Sequence, residues 1–167
     1  MTDHICTIPP DLEVGDYHAQ APEPWSIPRE KWEKIWAKPG GQGKGVKIAI
    51  LDTGTNSHPD LPEPIAEKSY IRGQSPRDGN GHGTHCAGTA LGRNGIGVAP
   101  EAALINVKVL SDGGSGGSDG IARGYQFARE NGADVASASL GGGYYRPTAD
   151  EIKACNDVGV VCPAAAG

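Results

Sequence analysis

The chain has 167 residues, 37% hydrophobic and 21% charged, with a formal net charge of −5, an ordinary soluble composition large enough for one domain with a real core. No basic cluster offsets that charge, which excludes nucleic acid as an expected partner, and no apolar run approaches the roughly 18 residues a membrane span needs. The 26 glycines are about twice the usual share and point to tight turns and close backbone approaches.

Met1-Thr2-Asp3-His4 lacks a basic start followed by an apolar run, so no secretory signal is visible. The expectation is a cytoplasmic protein, or a chain that begins after processing. Residues 1–24 carry Pro9, Pro10, Pro22 and Pro24 among acidic residues and show no periodicity; they read as an extended arm rather than a packed element. Ser26-Ile27-Pro28 then signals a helix start. Trp32, Ile35 and Trp36 follow at i, i+3, i+4, which predicts a short helix burying two indoles. Lys38-Pro39-Gly40-Gly41 ends it.

Val46 to Leu51 is a continuous apolar run between glycines and reads as a strand of a parallel sheet, buried on both faces. Further strands are predicted over 102–110, 134–138 and 158–164, the last ended by Pro163. Helices are predicted over 82–91, over 118–131 with Ile121, Tyr125, Phe127 and Ala128 inward, and over 149–157 with Ile152 and Cys155 inward. Strand–helix alternation predicts an α/β fold, a mostly parallel sheet with helices on both faces. The cysteines, Cys6, Cys86, Cys155 and Cys162, have no metal-site spacing. Free thiols fit a reducing compartment, and Cys86 reads as a small buried apolar group.

Reactive groups of open α/β sheets gather at the carboxyl ends of strands, and Asp52 follows Leu51 at such an end. Alone, Asp52-Thr53-Gly54 reads first as a turn aspartate. Aspartic proteases carry the same tripeptide, but they need two copies and this chain has one. His82 stands between Gly81 and Gly83 at a helix start. It is predicted to face a cleft, with the helix N-terminus disfavouring its protonation so that it serves as a general base near neutral pH. An aspartate that holds one imidazole tautomer and a histidine that takes a proton are two thirds of a serine-activating system. His85 lies at i+3, without the i+4 spacing and intervening Glu of a zinc protease, so no metal is expected here.

These segments together resemble the subtilisin-like serine proteases, the subtilases. Ala49-Ile50-Leu51-Asp52-Thr53-Gly54 is similar to the family's catalytic Asp motif, and Gly81-His82-Gly83-Thr84-His85-Cys86-Ala87-Gly88-Thr89 to its His motif. His58-Pro59-Asp60-Leu61, Gly97-Val98-Ala99-Pro100 and Val107-Lys108-Val109-Leu110 resemble further family segments. Gly114-Ser115-Gly116 looks like the strand against which substrate backbone pairs, and Ser139-Leu140-Gly141-Gly142 like the strand lining the side-chain pocket. The resemblance covers residues 25–167, as the N-terminal portion of a catalytic domain. It implies a serine endopeptidase in which Asp52 orients and His82 is the base. It also implies substrate contacts at Leu110, Gly114, Ser115, Gly116, Ser139, Leu140, Gly141, Ala165, Ala166 and Gly167.

The resemblance further implies an oxyanion asparagine directly after a segment like Ala164–Gly167, and beyond it a nucleophile in Gly-Thr-Ser-Met-Ala; neither lies within these residues. The expectation is one fragment or subunit of a complete enzyme, with a second chain carrying both, acting on polypeptide substrates away from nucleic acid and membrane. The alternatives are a truncated chain, or a non-catalytic remnant serving as a protein-binding module. Many family members hold calcium tightly through the counterpart of Asp60 and a long loop after the His helix. Here 90–96 is short, as in the proteinase K-like branch, so no cofactor is expected and calcium only at a weak site. Cys86 beside His85 also resembles that branch. Ile8-Pro9-Pro10 is similar to the short inhibitory extension of intracellular subtilisins. Residues 1–24 are therefore expected either to lie near the cleft and restrain activity or to form a disordered tail.

Overall fold

The computed structural model describes residues 5–7 and 29–166. In chain order the elements are β1 (Ile5–Thr7), α1 (Arg29–Trp36), β2 (Lys47–Asp52), β3 (Ala66–Ser69), α2 (His82–Leu91), β4 (Ala103–Lys108), β5 (Ser115–Gly117), α3 (Ser118–Glu130), β6 (Val135–Ser137) and α4 (Arg146–Asp157). None of the described helices is long and apolar enough to cross a membrane.

The apolar runs pair side by side because each can bury both faces. They form a four-stranded sheet in the order β3-β4-β2-β6, and every pairing within it is parallel. Along β2 the side chains alternate between two cores. Ala49 and Leu51 join Ile105, Val107 and Val109 beneath Ile121, Tyr125 and Ala128 of α3 and Cys155 of α4. Ile48 and Ile50 join Leu104 beneath Ala87 and Leu91 of α2. Each buried Val, Leu or Ile in these layers contributes about 1.5–3 kcal/mol. Helices thus cover both faces, as the alternation predicts. The register sets Asp52 opposite Lys108, so the carboxyl ends of β2 and β4 finish level. The Asp52 carbonyl accepts both the Val109 and the Leu110 N–H, at 2.8 and 3.0 Å.

Several elements differ from the sequence reading. Residues 158–164 do not form a strand. Gly159 turns at φ +89°, Pro163 has no N–H, and only isolated bridges, Val135 to Val161 and Ala138 to Ala164, tie the segment to β6. Helix α4 starts at Arg146, with Pro147 in its first turn, three residues ahead of the predicted start. In α1, Ile35 is 40% exposed rather than inward, and the Trp36 indole donates to the Val98 carbonyl at 2.8 Å. The Trp32 side chain and the predicted start at 26–28 lie outside the described residues, as does most of the arm at 1–24. Within that arm, Ile5–Thr7 is a paired strand rather than unpacked chain, antiparallel to β5.

Candidate active site

Helix α2 lays Ala87 and Leu91 on the sheet, and this points its first residue, His82, at the carboxyl end of β2. Two glycines allow the approach. A Cβ on Gly83 would fall 2.1 Å from the Gly54 carbonyl oxygen, and one on Gly54, at φ +104°, would fall 2.3 Å from that of Pro76; no real side chain fits either gap. The result is a bond of 2.7 Å between His82 Nδ1 and Asp52 Oδ1. The Thr53 N–H donates to the same Oδ1, also at 2.7 Å. With Nδ1–H donating to the carboxylate, Nε2 keeps the lone pair that a general base needs.

Two expectations about His82 are corrected. Its side chain is buried, not open to a cleft, with Asp52 at Nδ1 and Cys86 one turn along the helix beside the ring. Nor does the helix N-terminus win on protonation. The bond to Asp52, and secondarily the contact with Cys86, raise the imidazole pKa above its ordinary 6.5 although burial opposes this. A carboxylate at hydrogen-bond distance outweighs a half-charge of helix dipole. The sign for catalysis is fixed: the base form exists only above the raised pKa. The acid limb of kcat/KM in the complete enzyme is therefore expected to have its midpoint above 6.5, and Cys86→Ser to move it down. A pH–rate profile with a midpoint below 6.5 contradicts this.

Cys86 is more than a filler of the core. Its sulfur lies 3.8 Å from His82 Nδ1 and 4.0 Å from Nε2. Burial pushes the thiol up, but the histidines beside it, His82 first and then His85, hold it below its ordinary value. Asp52, His82 and Cys86 offer ligand atoms within 4.8 Å of one another. This donor set suits a soft transition metal rather than calcium, and its closest pair is already joined by the Asp52–His82 hydrogen bond. Asp60 Oδ1 accepts from the Asn94 amide at 2.6 Å.

The other expected positions flank this pair unevenly. Ser115 and Gly116 lie in β5, where the backbones of Thr7 and Cys6 oppose them. Gly114, at φ +77°, closes the turn before them. Leu110 does not face the edge: it is fully buried in the core, held by its N–H on Asp52, and a Cβ on Gly116 would fall 3.2 Å from its Cδ2. It supports the edge from beneath. Leu140 is half-buried against the core, and Gly141 is half-buried beside it. Ala165 and Ala166 are exposed; the Ala165 N–H reaches the Ala138 carbonyl at 3.3 Å. Gly167 lies outside the described residues.

Sequence reasoning missed two buried charges beside the pair, Lys108 and Asp78. Lys108 Nζ donates to the Thr53 carbonyl and to Asp112 Oδ1 at 2.7 Å. Asp112 Oδ1 also accepts the Gly79 N–H at 3.2 Å. The sequence signal was faint: a lysine inside an apolar strand run, and an aspartate four residues before the histidine.

The sequence model of the subtilase family matches residues 43–167. Subtilisin Savinase of Lederbergia lenta is 42% identical over 150 residues, covering 86% of this chain and 55% of its own length. The alkaline protease of Alkalihalobacillus alcalophilus is 42% identical over 150 residues, covering 86% and 39%. Thermitase of Thermoactinomyces vulgaris is 40% identical over 138 residues, covering 78% and 45%. The chain spans about half the length of these curated relatives, or less. The match runs from Gly43 through the strand-end aspartate, the helix-start histidine and the segment beside β6, and the chain belongs to the subtilase family.

Proposed function

We propose that residues 25–167 supply the Asp–His half of a subtilisin-type serine endopeptidase. The observation that carries this is the buried 2.7 Å bond between Asp52 Oδ1 and His82 Nδ1 at a strand end. The relatives' names, subtilisin and alkaline protease, support it. A serine and an oxyanion donor come from polypeptide outside these residues. The apolar exposure of Val158 and Val161, beside an edge of β6 held only by isolated bridges, fits further polypeptide packing there. His82 Nε2 takes the serine proton as Oγ attacks the peptide carbonyl, then delivers it to the leaving amine. Asp52 holds the tautomer and stabilises the imidazolium. The substrate lies extended, its backbone against Ser115–Gly116 on one side and Ser139–Gly141 on the other, with its side chain toward Leu140 and Ala165–Gly167. Subtilase chemistry needs no organic cofactor. Calcium binds weakly at most, and a tight calorimetric isotherm abolished by Asp60→Asn contradicts that.

The pairing of β1 with β5 supports an inhibitory role for residues 1–24, because Ile5–Thr7 occupies the backbone edge that substrate would use. Deleting 1–24 from the complete enzyme is expected to raise kcat/KM, mainly through a lower KM, measured with a chromogenic peptide; unchanged kinetics refute the restraint. The function itself is tested by a serine-directed phosphonate probe together with intact mass of the native protein. Labelling of a serine outside residues 1–167 supports the endopeptidase. A folded protein that binds peptide without any labelling supports a non-catalytic binding module instead.

A further inference from the structure

Asp78 lies in the loop ahead of α2 and is 7% exposed, yet no step of the chemistry above uses it. Its carboxylate is saturated. Oδ1 accepts from the Thr53 hydroxyl at 2.8 Å and from the Asn80 and Gly81 N–H groups, each at 2.9 Å. Oδ2 accepts from the Thr84 N–H at 2.9 Å and the Thr84 hydroxyl at 2.6 Å. Its own backbone is fixed by Asn56, whose amide donates to the Asp78 carbonyl at 2.7 Å and accepts the Asp78 N–H at 3.3 Å.

The partners matter more than their number. Gly81 and Thr84 bracket His82, and Thr53 is the residue after Asp52. Because the Thr53 hydroxyl gives its only proton to Asp78, its oxygen is left to accept, and it accepts the Gly83 N–H at 2.9 Å. One carboxylate thus grips the chain on both sides of His82 and, through one hydroxyl, the end of the strand that carries Asp52. A helix cap alone would need the Gly81 and Thr84 bonds but not the one to Thr53, which is itself fully buried. Burial works against the ionised carboxyl, but the bonds from Thr84, Gly81 and Asn80 hold its pKa below the ordinary value, so all five acceptor contacts persist across the neutral range.

We propose that Asp78 is a positioning residue of the protease: through Thr53 and the His82 loop it sets the separation and alignment of the Asp52–His82 pair. This rests on the reading of that pair as catalytic. Asp78→Asn keeps the shape but replaces one acceptor oxygen with a donor, so it keeps either the Thr53, Asn80 and Gly81 contacts of Oδ1 or the Thr84 contacts of Oδ2, not both. In the complete enzyme we expect kcat to fall on the order of 10²-fold with KM unchanged, the scale of about 1 Å of misplacement. The acid limb of the pH–rate profile should move down toward the ordinary histidine value as the Asp52 bond lengthens. Thr53→Val, which leaves the Asp78 bonds to Asn80, Gly81 and Thr84 in place and removes the hydroxyl that links Asp78 and the Gly83 N–H to the β2 end, should change both in the same direction. Thr53→Ser, which keeps the hydroxyl, should restore them.

A purely structural role gives a different pattern: lower thermal stability with kcat and the acid limb of the folded enzyme at wild-type values in both Asp78→Asn and Thr53→Val. That pattern overturns the proposal. If Asp78→Asn fails to fold, the contrast between Thr53→Val and Thr53→Ser decides alone. The His82 Nδ1–H proton resonance provides a readout without turnover. It should move upfield, toward an ordinary imidazole, in Thr53→Val and not in Thr53→Ser; an unmoved resonance in Thr53→Val also overturns the proposal. Full activity in His82→Ala would instead sink the catalytic reading itself, a result separable from either.

Discussion

Asp52→Asn in the complete protease is expected to lower kcat by about 10⁴-fold while KM changes little, a magnitude taken from subtilisin and related triads rather than from this chain. The carboxylate is fully buried, and its Oδ1 receives both the His82 Nδ1 proton and the Thr53 N–H. An asparagine of the same shape presents one oxygen and one NH₂. With its oxygen at the Oδ1 position the asparagine keeps both bonds but not the negative charge that stabilises the imidazolium; with its NH₂ there, it faces Nδ1 and forces the ring proton onto Nε2. Either way the base is crippled, for want of charge stabilisation when protonated or of a lone pair toward the serine. Binding through the strand edges is untouched, so the loss appears in kcat. Steady-state kinetics on a peptide substrate check this; a KM effect at constant kcat would mean that Asp52 serves substrate binding rather than the imidazole.

The second large effect is on stability. Asp112→Ala is expected to cost about 3 kcal/mol, the low end of the range for stranding a buried charge. The Lys108 side chain is fully buried and the Asp112 side chain is 48% exposed, so water reaches the pair from one side and moderates the cost. After the substitution Lys108 retains only the Thr53 carbonyl, and the Gly79 N–H loses its acceptor. Lys108→Met on the Asp112→Ala background should recover much of the loss by removing the stranded ammonium. What then remains is the Thr53 carbonyl without the Lys108 ammonium and the Gly79 N–H without its acceptor, each worth about 1–3 kcal/mol at most. Urea unfolding of the two single variants and the double variant closes the cycle. Strict additivity would show that the two side chains are not coupled. Lys108 and Asp78 approach Thr53 from different sides, one at its carbonyl and the other at its hydroxyl, so the residue after the aspartate is fixed at two points.

How much of this could be read from the sequence depended on whether the signal was local. Strands β2 and β4 were legible because unbroken apolar runs suit only a sheet covered on both faces. The start of α2 was legible because glycines around His82 mark a close backbone approach. Strand β3, Ala-Glu-Lys-Ser, was not: it is polar and half exposed, and only its pairing with β4 makes it a strand. Residues 158–164 misled for the converse reason, an apolar composition whose glycine and proline break the ladder. The aspartate and histidine of the pair were found, but the protonation of His82 was misjudged. A helix terminus can be read along the chain, whereas a carboxylate thirty residues earlier can be weighed only once its 2.7 Å distance is known. Asp78 and Lys108 escaped notice because a polar residue declares its role only through what buries it. Leu110 was placed at the substrate edge by resemblance; its N–H on Asp52 and its burial put it underneath.

The most direct test of the Asp52–His82 pair as the base of a serine protease is the rate at which a serine-directed fluorophosphonate labels the complete protein, followed against pH in wild type and in His82→Ala. Labelling is expected on a serine outside residues 1–167, at a rate that rises with pH through the titration of His82 above its ordinary 6.5 and is lost in His82→Ala. A labelling rate in His82→Ala equal to wild type would show that this histidine activates no nucleophile.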